Sequence, residues 1–104
     1  MAFAENLKTL PSIEHLAELV LLDASGQTVA SIENKPGKTG SLAVYAALAQ
    51  RHGRIHPAAA HEGLELFAEH VADARANPGK HPNIDRLFQI IESGTELKVE
   101  LRPA

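Results

Sequence analysis

The sequence contains no cysteine, so disulfide bonds, thiolate catalysis and zinc sites with thiolate ligands are all excluded. It also lacks tryptophan and has only one tyrosine and three phenylalanines, which leaves few rings on which nucleic-acid bases could stack. A formal net charge of −3 points the same way, because nucleic-acid-binding surfaces are basic. We therefore expect no nucleic-acid partner.

Long hydrophobic runs are missing as well. The longest stretch of bulky apolar residues is Leu19 to Leu22, far below the ~20 residues that a membrane helix requires. Residues 1–10 have neither the basic start nor the apolar stretch of a signal peptide. With 44% hydrophobic residues in 104, the chain can bury a core of its own. These features predict one domain, residues 1–104, of a cytoplasmic protein with no membrane partner.

Hydrophobic periodicity predicts an α+β fold. Short helices come first, the second of them capped by Ser12, and strands over residues 18–23 and 28–32 form a hairpin around Gly26. Three main helices follow over residues 41–52, 57–76 and 82–93, and residues 95–102 alternate as a half-buried strand. We expect a small antiparallel three-stranded sheet of order 2-1-3, covered on one face by the three main helices.

The most distinctive motif is a loop that occurs twice, each time just before a predicted helix. Asn34-Lys35-Pro36-Gly37-Lys38 is the first copy and Asn77-Pro78-Gly79-Lys80 the second. A helix start has unpaired N–H groups and a partial positive charge, so a neighbouring lysine and a flexible glycine suit recognition of an anion. The candidate ligand-binding residues lie around the two helix starts and are Lys38, Gly40, Ser41, Lys80, His81 and Asn83. The competing interpretation is that the Pro-Gly pairs only form tight turns and the lysines are solvated.

Two sharper interpretations of this motif fail. Gly37-Lys38-Thr39 resembles the end of a nucleotide-binding P-loop, but that motif needs a glycine where this chain has Ile32. A duplicated domain is also excluded, because Ala43 would align with Asp85 and Val44 with Arg86.

No catalytic residue, metal site or cofactor is assigned from the sequence. His52 and His56 are close along the chain, but Gly53 and Pro57 interrupt the helix that would align them. Nucleophile elbows and Ser/His/Asp sets are missing, so enzyme activity is not supported.

We therefore expect a non-catalytic binding or interaction module that holds a small anionic ligand or a protein partner at the two loops. Two alternatives stay open. One is a small enzyme that pairs His70 or His81 with Asp73 or Asp85 beside the second loop. The other is a structural or regulatory homodimer joined through an exposed sheet edge.

Several segments together resemble a bacterial family known as domain of unknown function family 2322. They are Leu10-Pro11-Ser12-Ile13, the first loop with Gly40-Ser41-Leu42, the stretch Gly63-Leu64-x-Leu66-Phe67-Ala68-Glu69-His70, and Ala76-Asn77-Pro78-Gly79-Lys80-His81-Pro82-Asn83-Ile84-Asp85. The resemblance spans nearly the whole chain and implies a compact, stand-alone intracellular protein. It implies no activity and carries over no functional residues.

Overall fold

The computed structural model describes residues 2–104. The elements, in chain order, are α1 (Phe3–Leu7), β1 (Leu16–Leu22), β2 (Thr28–Glu33), α2 (Thr39–His52), α3 (Pro57–Phe67), α4 (His70–Ala76), α5 (Pro82–Ser93) and β3 (Lys98–Pro103). The α+β class predicted from the sequence is confirmed. Among the described residues, no helix combines the length and the hydrophobicity that a membrane crossing requires.

The three strands form one antiparallel sheet of order β2-β1-β3, which confirms the predicted order. On the central strand, Leu19 and Leu21 are fully buried. Leu19 lies between Ile32 of β2 and Leu101 of β3 in the register. One face of the sheet is therefore apolar, as its alternating pattern requires.

Helix α2 is the central element of the helical layer. Its buried side chains are Leu42, Val44, Tyr45, Ala47 and Leu48, and all of them except Ala47 belong to the same hydrophobic cluster as the inward face of the sheet. A 14-residue helix with so few exposed apolar positions is held by burial on several sides. Gly63 of α3 allows close approach here, because a Cβ at that position would lie 2.9 Å from Cδ1 of Leu48.

The prediction of one helix over residues 57–76 is wrong, since α3 and α4 are separate helices. Ala68, between them, has a φ of 52°. The buried Asn6 of α1 donates from Nδ2 to the carbonyl oxygens of Leu66 at 3.1 Å and Glu65 at 3.4 Å. In a continuous helix those carbonyls would accept from residues 69 and 70. The side chain of Asn6, distant in the sequence, thus satisfies the carbonyl groups at the end of α3.

The short helix predicted after Ser12 is also wrong, because a turn precedes β1 there. Leu16, placed in that helix by its spacing, is the first residue of β1. Asn34, at the end of the hairpin, donates from Nδ2 to the carbonyl oxygens of Ile13 at 3.0 Å and Leu16 at 2.8 Å. The amide of Asn34 thereby fixes the turn against the sheet.

A buried tyrosine links α2 to the start of α5. The hydroxyl of Tyr45 donates to the carbonyl oxygen of Asn83 at 2.5 Å and accepts from the guanidinium of Arg86 at 3.2 Å. Tyr45 has no exposed surface. The hydrogen bond therefore holds the first turn of α5 in a fixed position relative to α2.

We expect Tyr45→Phe to lower the free energy of unfolding by about 1–3 kcal/mol at neutral pH, because the hydrogen bonds of the buried hydroxyl with Asn83 and Arg86 are lost. Burial raises the pKa of Tyr45 to about 12. The folded state therefore holds the phenolic proton more tightly than the unfolded state, and stability falls as the pH rises from about 10 through about 12. Denaturant unfolding across this range tests both effects. If the unfolding free energy of Tyr45→Phe falls with pH as steeply as that of the natural protein, Tyr45 is not the group that causes the decline.

Candidate ligand-binding groove

The starts of α2 and α5 line one groove with a volume of about 560 Å³. Residues 37–41 form one side and residues 80–84 the other. Aromatic and aliphatic side chains of α1 and α3 complete it. All six candidate residues lie around this groove, namely Lys38, Gly40, Ser41, Lys80, His81 and Asn83. The two loops are far apart in sequence, and the fold brings them together.

The α2 side of the groove presents backbone N–H groups. Within residues 2–104, the N–H groups of Thr39, Gly40 and Ser41 have no hydrogen-bond acceptor, and the first helical bond runs from Leu42 to the carbonyl of Lys38. Gly40 also has a packing role, since a Cβ there would lie 2.9 Å from Cζ of Phe3. The close approach of α1 to this helix start depends on the missing side chain.

The α5 side offers fewer free groups than the sequence suggested. Pro82 occupies the first helical position and has no N–H, and the carbonyl of His81 accepts from Ile84 and Asp85. The side-chain oxygen of Asn83 accepts from Arg86 at 2.8 Å. The side-chain oxygen of Asn83 therefore stabilises the helix start, and its backbone N–H has no acceptor among residues 2–104.

Asp73 of α4 holds the second loop in place. Its Oδ2 lies 2.6 Å from Nε2 of His81 and 3.0 Å from Nζ of Lys80, and its Oδ1 accepts from Nδ2 of Asn77 at 2.9 Å. The hydrogen bond from His81, followed by that from Lys80, lowers the pKa of Asp73 to about 2. The N–H of Gly79 also donates to a carboxylate, that of Asp85, at 2.9 Å. Two carboxylates thus order this loop without any ligand.

Each candidate lysine has a carboxylate nearby. Nζ of Lys38 lies 3.8 Å from Glu33, and Nζ of Lys80 lies 3.0 Å from Asp73. Both lysine side chains are more than half exposed. Exposed ion pairs are weak, so either ammonium group can turn towards a stronger anion at small cost.

The floor of the groove is aromatic. The rings of Phe3 and Phe67 stack with centroids 5.5 Å apart, and the imidazole of His70 meets the Phe3 ring edge-on at 4.9 Å. Glu69 accepts the backbone N–H of Phe3 at 2.7 Å, which ties α1 to this site. Phe3 and Phe67 are not among the candidate site residues predicted from the sequence. Their helical spacing signals burial, whereas their position beneath the two loops follows from tertiary packing.

Of the His–Asp pairs that the enzyme alternative predicted, His81 and Asp73 are in contact. Asp85 instead accepts from the loop at Gly79. His70 is near His81, with ring centroids 5.9 Å apart. An ionised Asp73 can only accept hydrogen bonds, so Nε2 of His81 carries the proton between them.

The other close histidines have structural partners. Nε2 of His52 lies 2.7 Å from Glu62, and Nδ1 of His56 accepts the N–H of Ala59 at the start of α3. In the described part of the chain, no three acidic or histidine side chains converge to hold a metal ion.

Comparison with known families places this groove in context. The family model DUF2322, described as an uncharacterised protein conserved in bacteria, matches residues 3–101. The chain belongs to this family. No curated protein and no solved structure matches it. The DUF2322 description names no activity.

The pKa of Asp73 provides a direct test of the hydrogen bonds at the second loop. Because this pKa is lowered, the stability that the ionised carboxylate provides is present above pH about 4 and is lost as the pH falls through about 2. We expect a carboxyl titration by NMR to give a midpoint of about 2 for Asp73. His81→Phe should raise the midpoint more than Lys80→Gln does, because His81 is the larger cause. A titration midpoint near 3.8, the ordinary value, for Asp73 of the natural protein would contradict its contacts with His81 and Lys80.

Proposed function

We propose that the groove binds a small ligand that combines an anionic group with an apolar portion, and that the protein acts as a binding module. The observation that carries this proposal is the convergence of two helix starts on one groove with an aromatic floor. Its volume of about 560 Å³ lies within the range of about 300–1,000 Å³ typical of small-molecule sites.

The anionic group is suited to the α2 side of the groove. Three successive N–H groups, those of Thr39, Gly40 and Ser41, lack an acceptor among residues 2–104, and the helix adds a partial positive charge. Lys38 precedes them and Lys80 stands on the opposite side. A phosphate or carboxylate fits this donor set, because it accepts several hydrogen bonds at once.

The apolar portion is suited to the floor. Phe3, Phe67 and Ile84 line the groove, and the last two are almost fully buried. Covering the Phe3 ring with a flat or aliphatic group removes apolar surface from water, which favours binding by roughly 25 cal/mol per Å². An inorganic anion has no apolar part and would gain no binding free energy from covering the floor.

We expect phenyl phosphate or a similar aryl anion to raise the thermal unfolding midpoint more than inorganic phosphate does at equal concentration, because it also covers the floor. Lys38→Gln and Lys80→Gln should each weaken binding by about 5- to 10-fold, which corresponds to the loss of one exposed hydrogen bond of about 1 kcal/mol. Calorimetric titration measures these constants.

The matched control is Lys98→Gln, which removes an exposed lysine of β3 that does not line the groove. Its affinity should equal that of the natural protein. Equal affinities for the natural protein and the three lysine variants would contradict the proposal. The absence of stabilisation by any aryl or inorganic anion would contradict it as well.

The contact between His81 and Asp73 favours a second candidate function, a small enzyme. With the Nε2 proton directed at Asp73, Nδ1 of a neutral His81 is the free acceptor and can act as a general base. His81 lines the groove, so the substrate would be the same class of aryl anion. A water that gives its proton to Nδ1 of His81 then attacks the phosphorus or the carbonyl carbon of an aryl ester, the bond to the aryl oxygen breaks, and the aryl oxide leaves with the proton returned by the imidazolium.

Hydrolysis of aryl phosphates and aryl esters tests this second candidate. His81→Gln should lower any turnover by about 10²- to 10⁴-fold, the usual contribution of a positioned base. Asp73→Asn should change the pH profile, since it removes the partner that orients the imidazole. Binding of the aryl anion without turnover would favour the binding module over the enzyme.

A further inference from the structure

Strand β3 is an edge strand with unpaired backbone groups. Leu97, just before it, exchanges both backbone hydrogen bonds with Ile55, on the side away from β1. The N–H of Ala104 donates to His15 on the other side, towards β1. Because these directions alternate along a strand, Val99 and Leu101 direct their N–H and C=O groups away from the sheet. Beyond Leu97, no described strand pairs with this edge.

The same edge exposes apolar surface. Leu101 pairs with the fully buried Leu19, yet its own side chain is 44% exposed. Beside it lies a groove of about 390 Å³ between α2 and β3, to which Val99, Ala46 and Ala49 contribute. The predicted half-buried strand is therefore covered less completely than its alternating pattern implied.

We propose that β3 pairs antiparallel with β3 of a second copy of this chain, about a two-fold axis at Leu101. The pairing joins two three-stranded sheets into one of six strands. It satisfies both free backbone groups of Leu101 and the N–H of Val99, and it places the two Leu101 side chains next to each other. This inference is independent of the function proposed for the groove at the helix starts.

The register follows from the residues on the strand. Pairing centred on Val99 would need the backbone groups of Leu97, which Ile55 already occupies. Pairing centred on Glu100 would place Glu100 opposite Glu100 and Lys98 opposite Arg102, both of like charge. Those two registers are therefore disfavoured.

Pairing centred on Leu101 has neither defect. Glu100 of each copy then lies opposite Arg102 of the other, which gives two cross-strand pairs of opposite charge. Val99 lies opposite Pro103, whose carbonyl can accept the N–H of Val99 and whose missing N–H leaves no unsatisfied donor. A strand that complements itself in this way selects an identical partner, as a two-fold interface requires.

The opposite edge of the sheet, strand β2, is less suited to pairing with a second copy. Strand β2 pairs with β1 through a register shift between Leu21 and Leu22, an irregularity of the kind that protects natural edges. Val29, its most exposed apolar residue, is 51% exposed and lies beside α5. It supplies a matched control for Leu101.

Sedimentation equilibrium over a concentration series tests the proposal. The natural protein should dimerise, and Leu101→Lys should weaken the dimer at least 10-fold because it places two ammonium groups side by side at the axis. Val29→Lys, an equal change at the other edge, should leave the dimer unchanged. A natural protein that stays monomeric throughout, a dimer that survives Leu101→Lys, or one lost with Val29→Lys would overturn the proposal.

Amide hydrogen exchange gives a second readout that is specific to the register. Exchange at Val99 and Leu101 should slow as the protein concentration rises, whereas Glu100 and Arg102, which face β1, should change little. Slowing confined to β2, or no concentration dependence at Val99 and Leu101, would likewise overturn it.

Discussion

The groove exists because a buried tyrosine fixes the start of α5 against α2. The position of a helix start depends on what its first turn contacts. In α5 the buried Ile84 packs in the core, and the hydrogen bond from Tyr45 to the Asn83 carbonyl, supported by Arg86, adds a directional contact. Because Tyr45 is enclosed by the core, this bond is shielded from competition by water. The geometry of the surface site is thus set from inside the protein.

The second loop shows how local and tertiary interactions combine. Pro78 and Gly79 make the turn, as the sequence indicates, but the turn alone does not determine where Lys80 and His81 lie. Asp73 determines this by accepting from both residues while Asn77 occupies its other oxygen. The hydrogen bonds of Asp73 order the loop by themselves, so binding of a ligand there would cost little conformational entropy.

Local patterns predicted much of this fold. Apolar, β-branched runs on both sides of a turn predicted the hairpin, alternation predicted the last strand, and the return of that strand beside the first predicted the sheet order. The break after α3 was not predictable in this way. The side-chain amide of Asn6, some sixty residues earlier, donates the hydrogen bonds that the next helical turn would otherwise have supplied. Phe3 is a similar case: its spacing signals burial, but its place under the two loops depends on Gly40 and Glu69. Both failures concern α1, a five-residue helix held almost entirely by distant contacts.

The groove and the β3 edge use different parts of the same helix. Residues 39–41 at the start of α2 line the groove, whereas Ala46 and Ala49, further along, lie beside β3. Pairing of two copies through β3 would therefore leave the groove of each copy open to a ligand. Since α2 is rigidly packed on both faces, a ligand at its first turn would have little means of changing the strand edge. Binding and dimerisation should accordingly be additive, with ligand affinity independent of protein concentration.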